Sequence, residues 1–385
     1  MSQERTTPGS NPQAPDAGPY RVVIVDDSAI IRGFLARMLE SDPEIQVVET
    51  VANGQLAIGA VTRSAPDVVV LDIEMPVMDG LTALPKLIEA DPAIKVIMAS
   101  TLTLRNADIS IKALALGAAD YIPKPSSAGD ISSGYDFKRE LVAKVKALGA
   151  ARRAAGPPGR TPRRALGTKP AAGQPLSLYR DAQVILREAP AITPAVVAIG
   201  SSTGGPQALF QLLPGLVADL RQPLLITQHM PATFTTILAE HIRKLTNSPC
   251  AEAVDGEPLT GGKIYIAPGN FHMTVAVAEG RNVIRLNQDP PENFCRPAVD
   301  PMLRSLAQVF GRNVLTIILT GMGQDGLKGA ADVVKAGGVV VAQDAATSVV
   351  WGMPGAVATA GICSAVLPLA EIGPYTRKIA MRQAA

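Results

Sequence analysis

Cysteine is nearly missing from this chain. Cys250, Cys295 and Cys363 are the only three in 385 residues. They have no paired spacing and no C-x-x-C, which argues against a disulfide framework or a thiolate zinc site and for a reduced, cytoplasmic setting. Strong charge of one sign is also lacking. The net charge of +2 points to neither nucleic acid nor a membrane surface as a partner. No run reaches the roughly 18 uncharged apolar residues that a membrane span requires, so no direct membrane insertion is expected. The opening MSQERTTPGSNPQAPDAGP has no apolar h-region and does not read as a signal peptide. What remains is a globular balance, 47% hydrophobic and 18% charged, in a chain long enough for two or three cores.

Periodicity divides the chain. Residues 1–19 are expected to form a disordered leader. From 20 to 146, the β-branched runs RVVIV, VVETV, DVVVL, KVIMA and DYIP alternate with amphipathic stretches. That rhythm predicts βαβ units and a five-stranded parallel sheet. Residues 147–190 form a linker rich in Ala, Pro, Gly and Arg. Between 144 and 190, ten basic side chains face two acidic ones, net +8, leaving the rest of the chain near −6. With Tyr179 its one aromatic, this run reads as a solvated linker rather than a nucleic-acid arm. The alternation resumes over 191–385 with AVVAIGS, PLLITQH, KIYIAP, NVLTIILTG and GGVVVAQD, which predicts a second, doubly wound α/β domain.

Ligands of open parallel sheets bind beyond the carboxyl ends of the strands. Asp26 and Asp27 follow the first strand, Asp72 ends the third, Ser100 follows the fourth and Lys124 the fifth. Carboxylates crowded at one edge repel each other unless a cation joins them, and hard oxygen ligands suit Mg²⁺. A carboxylate so placed beside a lysine can take up a phosphoryl group as an aspartyl phosphate. Taken singly, these residues are as well explained as helix caps and loop acids; their ordered fall at four strand ends is not.

VDDSAIIR, VVVLDIEMPVMDG, the hydroxyl after the fourth strand and the PKP after the fifth resemble a two-component receiver domain of flavodoxin-like fold. The resemblance implies Asp72 as phospho-acceptor, with Asp26, Asp27, Asp72 and the backbone carbonyl of Glu74 holding Mg²⁺. It further implies Lys124 as a phosphate contact and Ser100 with Tyr121 as the switch pair.

In the second half, AVVAIGSSTGGPQALFQLLPGL reads as strand, tight turn and helix. Gly200-Ser201-Ser202-Thr203-Gly204 fits G-x-S-x-G, with Ser202 at the nucleophile position and a helix N-terminus aimed at a developing oxyanion. By itself the motif suits a phosphate cradle equally well. A nucleophilic serine needs a base and an orienting acid. His229 ends a strand as Ser202 does, His272 is open by position, and His241 falls inside a helix. For the acid, Asp325 opens a Gly-flanked turn, with Asp255 and Asp300 as rivals. The order Ser202, Asp255, His272 of α/β-hydrolases is too compact here.

IGSSTGGPQAL, TQHMP, IYIAPG, CRPAVDPML, LTGMGQDG and AQDAATSVVWGMPGAV, in this order, resemble the chemotaxis response regulator protein-glutamate methylesterases. That resemblance implies Ser202, His229 and Asp325 as the triad and the Met322 backbone amide in the oxyanion hole, with no cofactor in the catalytic domain. It also implies demethylation and deamidation of the cytoplasmic helices of methyl-accepting chemoreceptors, with a chemotaxis histidine kinase as phosphodonor. A catalytically silent scaffold and an esterase of another sensory array are the alternatives. A DNA-binding regulator is disfavoured, because no helix-turn-helix pattern follows the linker.

Overall fold

The computed structural model describes residues 18–101, 103–124, 131–155 and 184–381. Most of the expected leader and of the linker lies outside the described residues.

The first unit is a five-stranded parallel sheet in the order β2-β1-β3-β4-β5. Its strands are β1 (Tyr20–Val25), β2 (Ile45–Val51), β3 (Val68–Asp72), β4 (Lys95–Ser100) and β5 (Asp120–Pro123). Val69, Val70 and Leu71 are buried without exception. That is why β3 is a continuous apolar run rather than an alternating one: both faces of a parallel sheet are covered. The covering helices are α1 (Ala29–Glu40), α2 (Gly54–Ser64), α3 (Gly80–Ala90), α4 (Leu104–Ala115) and α5 (Ile131–Ala155). Ser28, Asn53, Asp79 and Thr103 cap the first four, each side chain accepting a first-turn N–H.

Helix α5 continues to Ala155, past the expected domain end at 146. Charge pairing explains the extension. Arg152 bonds Asp91 at 2.6 Å and Arg153 bonds Asp67 at 2.7 Å, so two arginines counted as linker charge belong to the first unit.

The second unit is a seven-stranded, all-parallel sheet in the order β14-β13-β12-β6-β7-β9-β8. Its strands are β6 (Val196–Ser201), β7 (Leu224–Gln228), β8 (Cys250–Glu252), β9 (Ile264–Ile266), β12 (Val314–Ile318), β13 (Val339–Gln343) and β14 (Ala365–Leu367). An antiparallel hairpin, β10 (His272–Ala278) with β11 (Arg281–Asn287), stands outside it. The helices α6 (Gly205–Val217), α7 (Ala232–Thr246), α8 (Val299–Phe310), α9 (Leu327–Lys335), α10 (Met353–Thr359) and α11 (Leu369–Ala380) complete the layers. Part of the expected linker also packs here: the Arg187 N–H donates to the Cys363 carbonyl at 3.0 Å. Among the described residues, no helix is long and apolar enough to cross a membrane.

Strand β6 lies between β7 and β12, so the chain leaves it in opposite directions on its two sides. Such a switch point opens a crevice at the carboxyl ends of the strands. Helix α4 of the first unit packs on α6 and α7, bringing the first unit over that crevice.

Candidate functional site

Ser202 follows β6 directly, in the turn that enters α6. The turn has no space for side chains. Gly204 adopts φ +75°, and a Cβ there would sit 2.5 Å from Val349. A Cβ on Gly205 would strike the Gln228 amide oxygen. The two glycines thus let the chain reverse beside its neighbours. The Ser202 N–H donates to the Thr320 carbonyl at 3.1 Å, and the Gln228 amide donates to the Ser202 carbonyl at 3.0 Å.

His229 follows β7, its N–H bonded to the Ser201 carbonyl at 3.1 Å. Its Nε2 lies 2.7 Å from Asp325 Oδ2. Asp325, in the turn after β12, is 1% exposed. Backbone N–H groups of Val299, Asp300 and Gly326 and the Asn293 side-chain amide also donate to it. Two of these come from the first turn of α8, where the helix dipole favours an anion. Burial pushes the Asp325 carboxyl upward, but the His229 bond and charge and these N–H donors outweigh it and hold the group below its usual range. Asp300 stands behind. Burial first, and then the Asp325 charge, push its carboxyl up to about 6. The Asn293 amide bridges the two acids at 2.9 and 3.0 Å.

Ser202, His229 and Asp325 therefore come from three strand ends to one place, and all three line a cleft of about 500 Å³. Met322 lines it too, and its backbone N–H makes no hydrogen bond among the described residues.

The rival residues lie elsewhere or do other work. His272 is buried, accepting the Ala298 N–H at 3.2 Å, with its other ring nitrogen 3.2 Å from the Pro290 carbonyl. His241 packs against the Phe210 ring at 4.4 Å. Asp255 is exposed and accepts the Leu286 N–H.

At the carboxyl edge of the first unit's sheet, ligand oxygens of Asp26, Asp27 and Asp72 lie within 4.8 Å of one another. Three hard oxygen donors at that spacing fit a divalent cation such as Mg²⁺. The Lys124 ammonium bonds Asp26 at 2.6 Å and Asp72 at 2.7 Å. Burial raises the Asp72 carboxyl above its usual range against the lowering pull of Lys124. Glu74 lines a groove with Asp27 beside this cluster. The Ser100 hydroxyl is buried 3.3 Å from the Ser110 hydroxyl.

Tyr121 faces the other unit. Its ring stacks on Phe234 of α7 with centroids 4.2 Å apart and planes 14° off parallel. Beside it, the Thr203 hydroxyl donates to Asp120 Oδ2 at 2.7 Å, and the Gln207 amide donates to the Ala118 carbonyl. Lys144 of α5 bonds the Tyr121 carbonyl at 2.6 Å and pairs with Glu140 and Asp120. Arg139, Glu140 and Lys144 thereby form one wall of the cleft that holds Ser202 and His229. Inspection of the sequence missed Cys295, whose sulfur lies 3.3 Å from His229 Nδ1, and Asn293. Both fall in or beside the CRPAVDPML motif, and that position was their one signal.

Fold and site together define a receiver-coupled hydrolase of doubly wound α/β type. The receiver family model matches residues 22–135, and the CheB methylesterase model matches residues 197–376. The protein-glutamate methylesterase/protein-glutamine glutaminase of Azospirillum brasilense is 61% identical over 98% of this chain and 97% of its own length. The corresponding protein of a group 2 operon in Rhodospirillum centenum is 60% identical over 95% of each. One from Paramagnetospirillum magneticum is 57% identical over 96% of this chain and 98% of its own. The chain belongs to the protein-glutamate methylesterase/protein-glutamine glutaminase family.

Proposed function

We propose that this chain removes methyl groups from glutamate γ-esters, and ammonia from glutamines, on chemoreceptor cytoplasmic helices, with Ser202 as nucleophile, His229 as base and Asp325 as the acid that orients it. The observation carrying this reading is the meeting of three strand-end residues in one cleft, with the His229–Asp325 bond already made at 2.7 Å.

With Nε2 given to Asp325, Nδ1 is the ring nitrogen left to accept the Ser202 proton. Ser202 Oγ attacks the ester carbonyl as that proton moves to His229. The oxyanion so formed faces the Met322 N–H, which is unbonded among the described residues, and the N-terminus of α6, donors set in place before charge develops. The protonated imidazole then gives its proton to departing methanol, or to ammonia from an amide. Water, deprotonated by His229, next attacks the glutamyl ester, releasing glutamate and restoring the serine hydroxyl. Methanol release from methylated receptor membranes, with and without a small phosphodonor, tests the assignment; release that persists in Ser202→Ala overturns it.

Control comes from the wall that α5 builds over the cleft. A receptor helix about 10 Å wide would have to share that cleft with Arg139, Glu140 and Lys144 to reach Ser202. Asp72 is the phospho-acceptor in this reading, and Mg²⁺ held by Asp26, Asp27, Asp72 and the Glu74 carbonyl would neutralise the incoming phosphoryl group. Lys124 then contacts the phosphoryl oxygens, Ser100 leaves Ser110 for them, and Tyr121 leaves Phe234. The closed state gives way to an open one. A chemotaxis histidine kinase supplies the phosphoryl group, and the setting is the cytoplasm. Asp72→Asn should abolish the increase in methanol release caused by acetyl phosphate and leave the basal rate unchanged. An increase that survives the substitution rules Asp72 out.

The Thr203–Asp120 bond makes the interface testable. A hydrogen bond to a charged group contributes about 1.5–3 kcal/mol, so Thr203→Val should shift the closed state toward the open one by about tenfold or more. Methanol release without phosphodonor should rise accordingly, while the phosphodonor-saturated rate stays near that of the wild type.

A further inference from the structure

The steps above need His229 Nδ1 to face Ser202, yet that nitrogen faces a thiol. Nε2 is committed to Asp325, and Cys295 Sγ lies 3.3 Å from Nδ1. Among the described residues, no hydrogen bond joins the Ser202 hydroxyl to His229. Base and nucleophile share a cleft without being engaged.

The loop carrying Cys295 is shaped to hold it there. Asn293 and Phe294 both adopt left-handed backbone, φ +52° and +64°. Non-glycine residues enter that region at a cost of about 1–2 kcal/mol each, so contacts must keep them there. Asn293 turns inward to bridge Asp325 and Asp300. Phe294 turns outward, 80% exposed, and the Arg139 guanidinium of α5 lies 4.5 Å from its ring centroid. Cys295 turns back onto the imidazole. The receiver thus touches the residue beside the thiol that touches the base.

We infer that Cys295 is a positioning residue, holding His229 away from Ser202 in the closed enzyme, and that receiver release frees the imidazole to turn to the serine. This rests on the functional reading above. In the closed enzyme two partners, Asp325 and Cys295, hold the imidazole, with Asp300 behind the first of them. Arg296 lies on the rim, and Asp120, Arg139, Glu140 and Lys144 enter from the receiver side. Burial favours the neutral ring, but Cys295 and Asp325 outweigh it and hold the His229 pKa well above its ordinary value. An imidazole that keeps its proton at neutral pH cannot accept one from serine. Losing the sulfur contact therefore frees Nδ1 to turn to the serine and lowers the pH at which the ring gives up its proton.

The test is the pH dependence of kcat/KM for methanol release by the full chain, with and without acetyl phosphate. For the wild type, the acidic limb should move to lower pH when phosphodonor is added. Cys295→Ala should show the lowered limb without phosphodonor, displaced by about one pH unit, with about tenfold more activity at neutral pH. Cys295→Ser, which keeps a hydroxyl at the position, should fall between the two, and it carries the test if the alanine variant fails to melt cooperatively. A purely structural thiol would change rates without moving the limb. Limbs that coincide in an active wild type and both variants overturn this inference alone. A wild type silent even with phosphodonor overturns the functional reading as well.

Discussion

Ser202→Ala should reduce kcat for methanol release by on the order of 10⁵–10⁶, leaving only what binding and oxyanion donors supply. No neighbour can take its place. The Ser201 hydroxyl is fully buried and donates to the Gln228 amide oxygen at 2.7 Å. Thr203 is committed to Asp120 across the interface. The Ser202 side chain makes no hydrogen bond among the described residues, so its removal should leave stability within about 0.5 kcal/mol of wild type. A melting curve and a fluorophosphonate probe separate the outcomes. The variant should melt as wild type does and resist labelling; a labelled alanine variant would place the nucleophile elsewhere.

Asp325→Asn should lower kcat by about 10⁴ with a far smaller change in KM, because the wrong ring tautomer would then face the serine. It should also cost stability, which Ser202→Ala does not. Both carboxylate oxygens accept N–H donors, Oδ2 from Val299 and His229 and Oδ1 from Asn293, Asp300 and Gly326. An asparagine amide must turn its NH₂ toward one of these sets, leaving buried donors unpaired at about 1–3 kcal/mol. The acidic limb of the pH profile should fall as well, since the Asp325 carboxylate helps to hold the His229 proton. A variant with lower kcat but unaltered melting and pH profile would indicate that Asp325 does not touch the base as an anion.

Much of this was legible before any coordinates. The receiver strands announced themselves because both faces of a parallel sheet are buried, which turns RVVIV and DVVVL into unbroken apolar runs. Ser202 was marked by Gly200 and Gly204, the two glycines that frame it in a strand-to-helix turn. Strands β8 and β14 were missed: each is three residues long at an edge of the sheet and only partly buried, so neither shows the fully apolar run that revealed β9, which is equally short. The β10–β11 hairpin was passed over between stronger motifs. Choosing His229 over His272 needed family likeness, since both follow apolar runs, and only the burial and bonding of His272 show it to be a structural group. The interface was illegible for another reason. Asp120, Lys144 and Thr203 are ordinary polar residues until two separately folded units are set against each other, and no local pattern encodes that placement. The same holds for Cys295, which looked like an unpaired thiol and turned out to face an imidazole contributed from 66 positions away.

The aromatic stack across the units bears on how such regulators can be assembled. Tyr121 meets Phe234 by stacking face to face, and Asp120, the residue before it, meets Thr203, the residue after Ser202. A receiver grafted from another regulator would still take up phosphate, because that chemistry needs only its own strand ends. It would be deaf to the hydrolase unless its fifth strand carried an acid and an aromatic ring in the same register. The domains are exchangeable as folds and not as signals.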